Sequence, residues 1–294
     1  MPNISFRLMA EWQFFSCDNQ QMLELCPDGS YTAYSTRFAQ HYHNRHGAFS
    51  QARHVYLLGS ETQLHPHPQV LEIGFGVGMN FLTTLCDALT RGVSLKYRAF
   101  EFDPLPVSVL RAIGEQHPAM HALGKVNLWE ALLQAWSNQT EIKAVPWRER
   151  DAMDKQQEIA INQANREAAL AARVNETSDQ LPHYAPIDIT LDQHHLHIDW
   201  CDVTAVDAPL PLDWASAVYL DGFSPDTNPE VWTPQFIERL VQLQLQGHLH
   251  LPSGADDRDF SHKEPSLCDH SVEGCWLAVQ EAESLHRLLQ DEVL

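Results

Sequence analysis

Positive charge is scarce in this chain. Lys and Arg number 19 against 39 Asp and Glu, a formal charge of −20 over 294 residues. That balance excludes nucleic-acid binding through bulk charge alone, so a nucleic-acid partner would need local basic contacts. Long apolar runs are also lacking, and none approaches the ~18 residues of a membrane span. The N-terminus has no basic segment followed by an apolar run, so no signal peptide is read there. The cysteines Cys17, Cys26, Cys86, Cys201, Cys268 and Cys275 show no C-x-x-C spacing. Free thiols and a cytoplasmic location are therefore expected, rather than a disulfide frame or a zinc site. What the chain does hold is apolar matter: 44% hydrophobic and 9% aromatic residues, enough for a core and too much for a wholly disordered chain. Its length suits one large domain, or one domain with an extension.

Residues 1–60 read as a β-rich N-terminal extension. Asp28-Gly29-Ser30 is a turn signal, Ser30–Tyr34 a strand, and His54–Gly59 a short strand or a helix end. Residues 61–246 read as the core. Pro68–Ile73 fits a buried strand entering a glycine-rich turn. Met79–Leu89 fits a helix with Phe81, Leu82, Leu85 and Leu89 on one face. Leu95–Glu101 is a second strand, and Pro104 opens a helix through Val107, Leu110 and Ile113. Strand, helix, strand, helix predicts an α/β sheet in parallel order. Residues 146–182 interrupt it. Arg148–Val174 has helix propensity without a wide apolar stripe, which fits a solvated helical insertion or, more sharply, an arm that touches RNA. The sheet pattern resumes at His195–Trp200 and Ala215–Leu220, and Pro234–Leu245 reads as a helix.

The strongest chemical signal is Glu72-Ile73-Gly74-Phe75-Gly76-Val77-Gly78-Met79-Asn80. Glycines at alternate positions after a strand let a ligand approach the backbone, and the next helix offers free N–H groups at its start. The dinucleotide fingerprint needs a glycine three places after the second one, and Gly74-x-Gly76-x-Gly78 fails that spacing. A carboxylate just before the turn, Glu72, favours S-adenosylmethionine, whose methionine part carries an ammonium group. Glu101 ends the second strand, where an acidic side chain accepts ribose hydroxyls. Asp202 ends another strand and fits either the adenine amino group or a turn. Asp221-Gly222-Phe223-Ser224-Pro225 ends a central strand facing the ligand crevice of an open α/β sheet, with Phe223 able to stack on a base. His195 and His197 share a strand face, away from His194, with no acidic or cysteine ligand at suitable spacing, so no metal site is expected. His41, His43 and His46 around Tyr42 fit a substrate loop or ordinary surface histidines.

Taken together, these residues resemble a known family: the methyltransferase half of the bifunctional tRNA-modifying proteins called MnmC, and their stand-alone MnmD relatives. The resemblance runs from about Asp28 to Leu245. It is carried by Asp28-Gly29-Ser30, Tyr42–Ala48, the Glu72–Asn80 loop, Phe100-Glu101, and Leu220–Pro225 with Asn228–Thr233, the last block being the most specific. It implies an α/β, Rossmann-like S-adenosylmethionine-dependent sheet. The implied reaction is methylation of the amine of 5-aminomethyl(-2-thio)uridine at the tRNA wobble position. Glu72, Gly74, Gly76, Gly78, Asn80, Glu101 and Asp202 would line the cofactor pocket, and Asp221 and Phe223 would face the target amine. The resemblance implies tRNA as substrate partner, no membrane, and no flavin half in this chain. It also implies an oxidoreductase acting upstream in the same pathway. A small-amine methyltransferase, or an inactive copy with a disrupted C-terminus, are the alternatives.

The pattern stops near Gly247. Residues 247–294 form an atypical tail with ten Asp and Glu against three Lys and Arg. The expectation is a shifted reading frame. Gln and Glu codons end in A-purine and Lys is A-A-purine, so before a codon that begins with G they read as Lys or Arg one nucleotide later. Lys263, Glu273, Gln280, Glu281, Gln290 and Glu292 all precede such residues. On that expectation the chain as written lacks the last strands of its sheet.

Overall fold

The computed structural model describes residues 23–139, 184–245, 271–272 and 275–279. The proposed insertion at 146–182 and all six residues on which the frame expectation turns lie outside the described residues. A small antiparallel sheet comes first: β1 (Leu23–Leu25), β2 (Tyr31–Ser35) and β3 (Gln40–His41). Its first turn is the one read from sequence. Asp28 Oδ1 accepts from the Ser30 backbone N–H at 3.1 Å, and Gly29 takes a left-handed φ of +84°. The other Asp28 oxygen accepts from the Ser50 N–H at 2.8 Å, tying this turn to the next helix.

That helix follows the small N-terminal sheet and settles His54–Gly59, read as a short strand or a helix end, as a helix end. Residues 48–58 are helical: α1 (Ala48–Gln51) runs directly into a π-helix, Ala52–Leu58. Ala48, Ala52 and Tyr56 are all buried, a spacing of four that marks one helical face. His43, read as an equal candidate for the surface, is buried as well.

The main sheet holds seven strands among the described residues, in the order β6-β7-β5-β4-β8-β10-β9. They are β4 (Gln69–Ile73), β5 (Lys96–Glu101), β6 (Ile187–Leu191), β7 (His194–Trp200), β8 (Ala217–Leu220), β9 (Ser271–Val272) and β10 (Cys275–Val279). The five inner strands are parallel, and β6 and β9 are antiparallel edges. This is the expected α/β, Rossmann-like class. The tail does supply strands to the sheet: β10 pairs with β8 through Trp276↔Ala217 to Val279↔Leu220.

Alternation along each strand sorts side chains into two layers. Val70, Tyr97, Ala99 and Tyr219 point to a core made with α2 (Met79–Arg91), α3 (Val107–Glu115) and α5 (Asn127–Gln139). Leu71, Ile73, Phe100, Val218 and Leu220 point to the opposite core, made with Trp232 and α6 (Pro234–Leu245). A short α4 (Pro118–Leu123) joins α3 to α5. Phe81, Leu82 and Leu85 of α2 are fully buried as read, but Leu89 in the last turn is 37% exposed. Burial of these apolar faces is the main stabilising term, at roughly 25 cal/mol per Å² removed from water. From β4 the chain winds outward through β5 to β7, then crosses to β8 on the other side of β4. The carboxyl ends of β4 and β8 are therefore the point where strand order reverses, the usual ligand crevice of an open α/β sheet.

Candidate functional site

The glycine turn and the Asp221 loop meet at that crevice. The Asp221 N–H donates to the Ile73 carbonyl at 2.9 Å, and Gly74 and Phe75 donate to the Phe100 carbonyl at 3.0 and 3.1 Å. Gly74 has φ +90°, and a Cβ there would sit 2.5 Å from the Asp221 carbonyl oxygen. Gly76 has φ +53°, and a Cβ there would meet the Tyr42 ring at 2.8 Å. Both glycines are thus required by backbone conformation and by close approach at once. The start of α2, at Gly78, has no side-chain cap, which leaves its first N–H groups to the crevice.

Three side chains from three parts of the chain converge on Asp221. Asn80, in the first turn of α2, donates both amide hydrogens to carboxylates: 2.9 Å to Glu72 Oε1 and 2.7 Å to Asp221 Oδ2. Two acceptors on one side fix the amide orientation. They leave Asn80 Oδ1 buried and without a hydrogen-bond partner among the described residues. The Tyr56 hydroxyl donates to Asp221 Oδ1 at 2.5 Å, and His43 Nε2 lies 3.9 Å from Asp221 Oδ2. Glu72 lies behind Asn80.

The electrostatics follow from burial. The Asp221 side chain is 8% exposed and Glu72 is fully buried. Burial holds Asp221 above the usual carboxylate range, against the pull of His43, Tyr56 and Asn80. Burial, and then the neighbouring Asp221, hold Glu72 well above it. Burial also lowers the His43 imidazole, against the attraction of Asp221. Asp221 has three polar neighbours that favour its charged form, His43, Tyr56 and Asn80, whereas Glu72 has the Asp221 charge against it. Among the described residues no Lys or Arg pairs with either carboxylate.

The other predicted residues are placed as follows. Glu101, also raised by burial, accepts from the Gly76 N–H at 2.7 Å, Phe102 at 2.9 Å and Asp103 at 2.7 Å. It braces the glycine turn as well as facing the crevice. Asp202 makes a turn of its own, with Oδ1 accepting from the Thr204 N–H at 2.9 Å and hydroxyl at 2.6 Å. Phe223 stacks on Phe38, with centroids 4.2 Å apart, and meets the edge of Tyr42 at 5.0 Å. Glu72 is the exception to its reading. It shares the parity of Val70 and points into the α2 layer rather than into the open crevice. Tyr56 was not read as a site residue. Its separation of 165 positions from Asp221 leaves no local signal, although the buried Ala48–Ala52–Tyr56 spacing places it on an inward face.

Comparison with known proteins bears on this geometry. A family described as S-adenosyl-L-methionine-dependent methyltransferase matches residues 164–250, a span that includes β7, β8 and the Asp221 loop. The likeness is to S-adenosyl-L-methionine-dependent methyltransferases. The chain is 28% identical over 225 residues to a protein of Paraburkholderia phymatum named tRNA 5-methylaminomethyl-2-thiouridine biosynthesis bifunctional protein MnmC; the match covers 72% of this chain and 27% of that protein. The protein of the same name from Ralstonia nicotianae is 29% identical over 231 residues, covering 76% and 28%. The chain thus spans little more than a quarter of these relatives. A crystal structure of MnmC2 from Aquifex aeolicus aligns with 78% of this chain and 58% of its own, at 17% identity and a TM-score of 0.43. The resemblance to MnmC read from the motifs is borne out, and S-adenosylmethionine is the cofactor of the matched methyltransferase family.

The residues present fit that cofactor. A crevice bordered by the Asp221 and Glu101 carboxylates, with no Lys or Arg paired to Asp221 among the described residues, suits a ligand that carries a sulfonium and an ammonium. The unpartnered Asn80 Oδ1 is an acceptor for an ammonium N–H. The glycine turn, with no Cβ at Gly74 and Gly76, gives the backbone close approach.

Proposed function

We propose that this chain methylates a primary amine on a wobble uridine of tRNA, using S-adenosylmethionine. The observation that carries the reading is Asp221. It is a buried carboxylate at the strand-order reversal, beside the glycine turn, with no Lys or Arg ion pair among the described residues. When bound, S-adenosylmethionine supplies an electrophilic methyl group on sulfur. The amine must be neutral to attack it, and a primary alkylamine is mostly protonated at neutral pH. Asp221 accepts that proton, forming O–H as the N–H bond breaks. Gly74, Gly76, Gly78 and Asn80 cradle the cofactor, Glu101 takes the ribose hydroxyls and Asp202 the adenine edge. Phe223, held against Phe38 and Tyr42, forms the apolar wall against which the base is placed at the ~3 Å needed for in-line attack. The MnmC name of the relatives supports tRNA as the substrate.

The experiment has two stages. Calorimetry with S-adenosylmethionine is expected to show binding. Transfer of labelled methyl to undermodified tRNA carrying 5-aminomethyluridine is expected to follow. Binding without transfer to tRNA would reject the tRNA assignment. The formal charge of −20 favours a second reading, a small-amine methyltransferase. Transfer to free alkylamines, with no salt-sensitive tRNA binding, would establish it instead.

A further inference from the structure

Tyr56 reaches the centre of the site from outside the methyltransferase sheet. It stands on the π-helix Ala52–Leu58, an element that is rare and concentrated at functional positions. Its ring is fully buried, 5.4 Å from the Tyr219 ring. Its own carbonyl is held by the Ser60 hydroxyl at 2.5 Å and the Ser60 N–H at 3.1 Å. Both the ring and the backbone carbonyl are therefore held, and the hydroxyl donates to Asp221 Oδ1 at 2.5 Å. Asn80 holds the other oxygen.

We propose that Tyr56 is a positioning residue for methyl transfer, its hydroxyl clamping Asp221 Oδ1 while Asn80 clamps Oδ2, so that the carboxylate is aimed at the substrate amine. The segment ahead of the sheet is on this view part of the catalytic machinery. The inference rests on the reading of Asp221 as the proton acceptor. A carboxylate held by two donors keeps its plane fixed and its remaining lone pairs in one direction, which is the condition for a short proton transfer. A hydroxyl donated to the charged form also favours that form. The titratable groups facing Asp221 are Tyr56 and His43 from the N-terminal segment, Glu72 from β4 and Tyr97 from β5. Among them Tyr56 alone makes a short hydrogen bond to it.

The test is Tyr56→Phe, which removes only the hydroxyl. Turnover on the amine substrate at neutral pH is expected to fall ~10-fold or more. The acidic limb of the pH–rate profile should move up by about one pH unit, and S-adenosylmethionine affinity should stay within about twofold of wild type. Incorporation of 3-fluorotyrosine at position 56 keeps the bond with a more acidic donor, and should restore turnover and move the limb down. An unmoved acidic limb in Tyr56→Phe would overturn the proposal. Carbon-13 NMR titration of labelled Asp carboxyls, with Asp221 assigned from Asp221→Asn, reads the same shift without turnover. If wild-type protein transfers no methyl group, the functional reading falls, and the NMR titration still decides whether Tyr56 controls Asp221.

Discussion

Two groups of carboxylates stand on the same sheet and behave in opposite ways. Asp221 at the crevice and Glu72 just beneath it are buried, and their polar neighbours among the described residues are Tyr56, Asn80, Tyr97 and His43. On the β6–β7 edge, Asp188 is 59% exposed and sits between His195 Nε2 at 3.1 Å and His197 Nδ1 at 2.9 Å. Asp199 nearby takes Arg98 at 2.8 Å and His197 Nε2 at 3.2 Å. Burial drives the first pair above the usual carboxylate range, while the hydrogen bonds from His197 and His195 hold Asp188 below it. Charge that is matched at a surface is part of the fold. Carboxylates enclosed without a Lys or Arg partner are the kind of group that concentrates at functional sites.

The comparison can be broken most sharply at Asp221. Asp221→Asn should lower turnover by roughly 10²-fold or more, as loss of a proton acceptor does, while calorimetry shows S-adenosylmethionine affinity little changed. Near-normal turnover would return Asp221 to the structural class of Asp188. Next in size is Gly74→Ala. Its Cβ would strike the Asp221 carbonyl at a left-handed φ, so denaturant unfolding should show a loss of ~1–3 kcal/mol. A neutral result would mean that the β4–β8 junction yields more easily than its hydrogen bonds suggest.

A smaller effect separates the two groups by sign. Raised folded pKa values at Asp221, Glu72 and Glu101 give stability that is fully present below the unfolded carboxylate range and is lost as pH rises through the raised values. Asp188 has the reverse sense: its stabilisation is present above that range and disappears as pH falls through its lowered value. Glu72→Gln keeps an acceptor for Asn80, so melting temperature measured across pH should fall less steeply on the alkaline side than in wild type. A parallel fall in both proteins would show that Glu72 is already ionised in the fold. Smallest of all, Asp188→Asn should cost ~0–1 kcal/mol, as exposed pairs do, and leave turnover unchanged. A large loss of turnover there would join the β6–β7 edge to the site.

Much of the sheet was legible because its strands are short apolar runs bounded by turn chemistry, as at Gln69–Ile73 and Ala217–Leu220. The glycine turn was legible because three alternate glycines have few other uses. Less visible was Ala48–Leu58. Its small buried residues recur every four positions, and alanines give a weak periodic signal beside the β-like Val55-Tyr56-Leu57. Leu89 shows the converse, a residue with the right period in a helical turn where the core no longer covers it.

What the sequence by itself determined is the class of the protein: an acidic α/β chain with a glycine turn after its first core strand and a carboxylate loop after a later one. Local spacing is enough for that, since strand, turn and helix are set by residues a few positions apart. Only the tertiary structure decided which side chains surround each carboxylate and which core layer it enters. Glu72 lies inside one buried strand and Asp221 just past another, yet strand parity turns Glu72 under α2, while Tyr56 and Asn80 grip Asp221 from 165 and 141 positions away. Burial and hydrogen bonding across such separations depend on how the layers pack, which no window of sequence contains.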